Sequence, residues 1–266
     1  MAFWSPQSDS SDPSNFGLLA SPQACVGPAG YEFIMGGVAQ AAAIEAAEIV
    51  TGKSLLWSTI QFVNAGLLNQ SIKIEVELLG GGRSISQVLV TLTSDGTVLQ
   101  TMSAALGGRQ GTERQFVSMP MVAAPEDCSI KTDLDHNNDQ DLIAQFERRI
   151  AIEEPDDGLG AMWIRTNDAL PITAGLLAIT SDFMLGLHPE SFRGTSLDNT
   201  FRVFSTRPTE WILCVTQMSG FRDGAAMGIT HQFTQEGQLL SVSSQTGLLP
   251  RSEKSPLTLG EVGVSL

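Results

Sequence analysis

Asp182 is the residue of this chain whose setting best suits it to chemistry. It lies in the apolar stretch ITAGLLAITSDFML (172–185), with Ala178, Ile179 and Leu185 around it at helical spacing. A carboxylate on an apolar helix stripe is costly unless partnered, and burial raises its pKa, which suits a general base. The same pattern also fits an aspartate at a frayed helix end facing water. Gln245, near the end of the β-rich run LLSVSSQTGLL, and Ser196, in GTSLDNTFRVF, are the other polar residues of interest. Taken singly each has a plain reading, an edge glutamine and a hydroxyl bonded to local backbone.

Other chemistries find little support. The histidines are His136, His188 and His231, with no Ser or Cys marked as a nucleophile beside any of them, and G-x-S-x-G is absent. Neither a His-dependent triad nor a multi-His metal site is expected. Asp133, Asp135 and Asn137 begin like a calcium loop, but Asn138 stands where that loop needs glycine and Ala144 where it needs glutamate. Gly80-Gly81-Gly82-Arg83 joins two strand patterns, whereas a phosphate loop joins a strand to a helix. Any base is therefore expected to be a carboxylate, with no cofactor or metal.

Composition narrows the class. Lys plus Arg number 15 against 29 Asp plus Glu, a net charge of −14, which disfavours a phosphate-backbone binder. At 42 % hydrophobic and 17 % charged, the 266 residues can build a large core. No apolar run approaches the roughly 20 residues that span a bilayer, and MAFWSPQSDSSDPSNF does not read as a signal peptide. Cys25, Cys128 and Cys214 are too few and too far apart for a disulfide framework or a zinc pattern. The expectation is a soluble, acidic, intracellular protein without nucleic-acid or membrane partners.

The elements that must position these residues are written twice. In the first half, Gly36-Gly37 and VAQAAAIEAAEIV predict a helix of small buried residues, stopped at Gly52. Ile72, Ile74, Val76 and Leu78 alternate with charged residues, a period of two. The GGGRS turn, a run over 85–93, the turn at Asp95-Gly96 and a run over 98–106 follow. In the second half a helix is predicted over 172–185. Strands follow over 211–218, up to Phe233, and over 238–246 after Glu236-Gly237. The two turns stand 141 residues apart, so the chain reads as two similar α+β units. Residues 1–18 and 252–266 are predicted to be poorly ordered tails, 19–110 and 144–251 the two domains, and 111–143 a polar linker.

In this order and spacing the chain resembles the acyl-CoA thioesterase II family, whose members hold two hotdog domains in one chain. IMGGVAQA resembles the family's glycine pair at the first central helix, GGGRSIS its Arg-Ser turn, and SDGTVLQTMSAALGG its closing hairpin. QFERRIA, MWIR, TSDF, the TSLDNT–PTEW pair and SSQTGLL resemble the second domain, so the likeness covers roughly 25–250. The resemblance implies an α+β fold of two tandem hotdog domains, each an antiparallel sheet wrapped around a central helix, and assembly into a homo-oligomer. It implies hydrolysis of an acyl-CoA or related acyl thioester by a water that Asp182, Ser196 and Gln245 hold, without metal or cofactor. Family members are often Thr at the position of Ser196. The resemblance names no residues for the CoA phosphates. Arg83, Arg109 and Arg222 are candidates for them, each with the plainer reading of a surface or turn arginine. A non-catalytic acyl-binding protein and a hotdog hydratase are the alternatives. The hydratase would need a histidine beside Asp182, and His188, six residues on, would point about 120° away around a helix. The chain ends Val264-Ser265-Leu266, without the basic residue of a peroxisomal Ser-Lys-Leu signal, so a cytoplasmic location is expected.

Overall fold

The computed structural model describes residues 2–132 and 140–250. The calcium-like stretch from Asp133, with His136, lies outside the described residues, as does the tail 252–266. The elements in chain order are β1 (Gln7–Ser8), β2 (Asn15–Leu19), β3 (Cys25–Val26), β4 (Phe33–Ile34), α1 (Gly36–Thr51) and β5 (Leu55–Phe62). Then come β6 (Ser71–Gly81), β7 (Ile85–Ser94), β8 (Thr97–Gly107), β9 (Ser129–Ile130), β10 (Phe146–Glu154) and β11 (Leu159–Thr166). The helix α2 (Ala174–Ser181), a 3-10 turn over Asp182–Leu187, β12 (Thr195–Val203), β13 (Ile212–Arg222), β14 (Ala225–Phe233) and β15 (Leu239–Leu248) complete the chain.

All but β3 and β4 join one antiparallel sheet of 13 strands, in the order β1-β2-β6-β7-β8-β5-β12-β15-β14-β13-β11-β10-β9. The repeat legible in the sequence governs its register. Leu55 faces Leu106 and, past a bulge, Trp57 faces Ala105. Ser196 faces Gly247 and, past the same bulge, Asp198 faces Thr246, every position displaced by 141. The halves meet where β5 pairs with β12, with Thr59 opposite Thr200. These two threonines are themselves 141 apart, and their hydroxyls share a 2.9 Å hydrogen bond. Pairing the strands edge to edge leaves neither half with an open central edge.

The alternation along the strands decides which face is covered. Ile72, Ile74, Val88, Val90, Leu92, Met102 and Leu106 turn inward and form one core with the alanines of α1 and with Leu176, Leu177 and Ile179 of α2. Alanine is what lets α1 and α2 pack closely while keeping strong helix propensity. Gly52 ends α1 in the left-handed region at φ 62°, its N–H bonded to the Glu48 carbonyl at 2.8 Å.

Residues 2–18 are not a disordered tail. Within the described part, β2 pairs with β6 along its full length, and Trp4, 4 % exposed, and Phe16 are buried in the core. The Ser/Pro bias of the segment suits its turns, while its few aromatics supply the anchors. The described part of the expected linker is also packed: Trp163 Nε1 donates to the Ala123 carbonyl at 3.0 Å, and β9 pairs with β10.

Candidate active site

Helix α2 starts where Thr173 accepts the Leu176 N–H at 3.1 Å, an N-cap. It is shorter than the sequence predicts. Thr180 and Ser181 donate their hydroxyls back to the carbonyls of Leu176, Leu177 and Ala178, and the chain tightens to a 3-10 turn at Asp182. Asp182 is thus at the helix end, yet it is buried, 7 % exposed, and faces the N-terminus of α1 instead of water.

Three donors converge on its carboxylate. The Gly37 N–H donates to Oδ2 at 2.6 Å. Gln245 Nε2 donates to Oδ1 at 2.6 Å and to Ser196 Oγ at 2.6 Å, and Ser196 Oγ lies 3.4 Å from Oδ1. The three residues singled out in the sequence therefore meet in one cluster. Burial pushes the Asp182 carboxyl up to about 6, against the hydrogen bonds from Gly37, Gln245 and Ser196, which favour the ionised form. Gln245 Oε1 has no hydrogen-bond partner and is buried.

One of the three donors, Gly37, carries no role in the sequence reading. The signal was present in the glycine pair at the head of the helix, where alanine would be more stable unless something approaches closely. A Cβ on Gly37 would stand 2.8 Å from Asp182 Cβ and 2.9 Å from Ile179 Cα; one on Gly36 would stand 2.7 Å from the Phe62 ring. A supporting layer lies behind. Asn199, opposite the neighbouring strand's Gln245, donates to Ser181 Oγ at 3.4 Å.

At the equivalent places of the first half, 141 residues earlier, stand Ala41, Leu55 and Ala104. The repeat preserves the frame and supplies the polar set once.

The other candidates lie elsewhere. His188 Nδ1 accepts the Glu190 N–H at 3.2 Å and Nε2 pairs with the Pro155 carbonyl at 3.1 Å, so neither ring nitrogen is turned to Asp182. Arg222 is exposed beside Asp223 at 3.2 Å. Arg83 and Arg109 flank the Gly108 N–H to Ser84 carbonyl bond, near Lys53 beyond the C-terminus of α1, a helix length of about 24 Å from Gly37. None of the three arginines reaches the cluster. Among the described residues no three His, Cys, Asp or Glu side chains gather as metal ligands, and no helix is long and apolar enough to cross a membrane.

Comparison with solved structures defines the class as a hotdog-fold thioesterase. A thioesterase-like structure from Novosphingobium aromaticivorans is 29 % identical with a TM-score of 0.87, covering 94 % of this chain and all of that one. A hotdog-fold protein of unknown function from Alicyclobacillus acidocaldarius, at 19 % identity, shares the fold with a TM-score of 0.82 over 95 % and 99 % of the two chains. Acyl-CoA thioesterase 2 of Haemophilus influenzae is 25 % identical over 260 residues, 84 % of this chain and 90 % of that protein. Residues 27–107 match the acyl-CoA thioesterase N-terminal domain family and residues 125–249 the C-terminal domain family. The chain belongs to the acyl-CoA thioesterase family.

Proposed function

We propose that this enzyme hydrolyses acyl-CoA to free acid and CoA with Asp182 as general base, at a single site where two tandem hotdog domains meet. The observation that carries the proposal is the buried Asp182 carboxyl, raised to about 6 and held by donors from both halves. Such a group is ionised at neutral pH yet basic enough to take a proton from water. Gln245 Oε1, buried and unpartnered, and Ser196 Oγ are the groups to hold that water in a near-attack position.

The reaction then balances simply. Water loses a proton to the Asp182 carboxylate as its oxygen bonds to the thioester carbon. The carbonyl π pair becomes an oxyanion. Collapse of the tetrahedral intermediate expels the thiolate, which takes up the proton from Asp182. The oxyanion needs donors, and the N-terminus of α1 offers them: Gly37 is engaged by Asp182, and the Gly36 N–H is the next along. Domains at 19–110 and 144–251, the former extended by the N-terminal strands, agree with the repeat in register. A role in lipid metabolism and homo-oligomer assembly rest on the family resemblance.

A single turnover in H2(18)O tests the role of Asp182. A general base leaves the label in the released acid alone. Label recovered in the Asp182 carboxyl would mean instead that Asp182 attacks the thioester directly.

A further inference from the structure

Beside Gln245 the inner face of the sheet carries almost no side chains. Gly228 stands opposite Gln245 on β14, and Ala226 stands opposite Gly247. Gln245 itself is 3 % exposed, and its Oε1 is buried without a hydrogen-bond partner. The depression is filled from the neighbouring elements. A Cβ on Gly228 would lie 2.9 Å from Met184 Sδ and 3.1 Å from Met218 Sδ, and one on Gly247 would lie 2.6 Å from Leu185 Cδ1.

Met184, Leu185, Met218 and Ala226 form a cluster of their own, separate from the main core. Met184 follows Asp182 by two residues in the same 3-10 turn. On its other side Met218 lines an open groove of about 590 Å³ with His188 and Phe221. Two thioether side chains therefore stand between the Asp182–Gln245 cluster and the groove.

We propose that Met184 and Met218 are specificity-determining residues: the acyl chain of the substrate occupies the space over Gly228 by swinging them aside toward the groove. The proposal rests on the reading of Asp182 and Gln245 given above. Methionine is suited to the task, being unbranched, with three rotatable bonds and a polarizable sulfur that repacks at little cost. Short acyl chains need little displacement. Long unbranched chains need both side chains to move, so their binding carries the cost of opening the plug.

The test is kcat and KM for butanoyl-, octanoyl- and hexadecanoyl-CoA with the parent enzyme, Met184→Ala, Met218→Ala, Met218→Leu and Gly228→Val, with thermal melting to confirm folding. Either alanine variant should raise kcat/KM for hexadecanoyl-CoA relative to butanoyl-CoA by about tenfold, chiefly through KM. Gly228→Val should move the ratio the other way. Met218→Leu keeps the volume and the fold but stiffens the plug, so it should disfavour the long chain even if the alanine variants fold poorly.

Folded variants whose activities change by the same factor at every chain length would overturn the proposal. So would a profile that responds instead to Leu170→Trp, in the separate cavity that Phe146, Ile172, Leu176 and Ile212 line. Failure of the Asp182 reading is distinct. It would show as an active Asp182→Asn enzyme, in which the chain-length ratio can still be read.

Discussion

The Gly37 N–H and the Asp182 carboxylate, 145 residues apart in the chain, are joined by a 2.6 Å hydrogen bond. Because the two residues belong to different halves, the bond exists only when both halves are folded and docked. The first half supplies the positive end of a 16-residue helix, the second supplies the charge it steadies.

That contact leaves no room for a side chain. Gly37→Ala should destabilise the protein by about 2–3 kcal/mol, because its Cβ would meet the Ile179 backbone as well as Asp182. Thermal or urea unfolding measures this, and the same variant should lose activity as Asp182 is pushed from place. An alanine variant as stable and active as the parent would show that the helices can separate freely.

The pH profile follows from the raised carboxyl. A general base works only when ionised, so kcat should fall about tenfold per pH unit below the Asp182 value of about 6 and level off above it. Stopped assays from pH 4.5 to 8.5 measure the profile. Full activity retained at pH 4.5 would be inconsistent with this base.

Stability moves in the opposite direction. The folded-state pKa is raised from 3.8 to about 6, so the native state binds the extra proton. Stability attributable to Asp182 is therefore highest below about pH 4 and is lost as pH rises through about 6. At neutral pH the buried charge costs about 1–3 kcal/mol. Asp182→Asn removes that charge, and rotation of the Gln245 amide presents Oε1 to the new donor. The variant should melt higher than the parent at pH 8, with a smaller gap at pH 5; calorimetry at both values measures it.

The water-holding groups should rank by what they contribute. Gln245→Ala removes two hydrogen bonds and the free Oε1, and should lower kcat by about a hundredfold. Ser196→Ala, losing a longer contact to Asp182, should cost about tenfold, and Ser196→Thr should keep or raise activity by fixing the rotamer. Kinetics on one acyl-CoA suffice. Equal activity in Ser196→Ala and Gln245→Ala to that of the parent would remove both from the mechanism.

Much of this was legible in the sequence because repeats and local turns leave local signals. The 141-residue offset was readable from the two Xaa-Gly turns, and it reappears as the Thr59–Thr200 pair and as matched bulges in both halves. The same offset applied to Asp182, Ser196 and Gln245 points to Ala41, Leu55 and Ala104, and so to one polar set per chain. What could not be read is what docking decides. No local rule tells an aspartate at a helix end facing water from one facing the Gly37 amide. Nor does composition distinguish a Ser/Pro-rich tail from an edge strand pinned by Trp4 and Phe16, since pinning depends on the partner β6. The helix ends after Ser181, short of the 172–185 that the apolar pattern predicts, because two successive hydroxyls turn back on the preceding carbonyls.

The central claim is tested most directly by thiol release from a panel of acyl-CoAs with Asp182→Asn beside the parent enzyme. The account predicts turnover by the parent and a loss of about a hundredfold or more in the variant, with the fold intact. Equal turnover in both proteins would contradict the assignment of Asp182, and binding of acyl-CoA without turnover in either would contradict hydrolysis at this site.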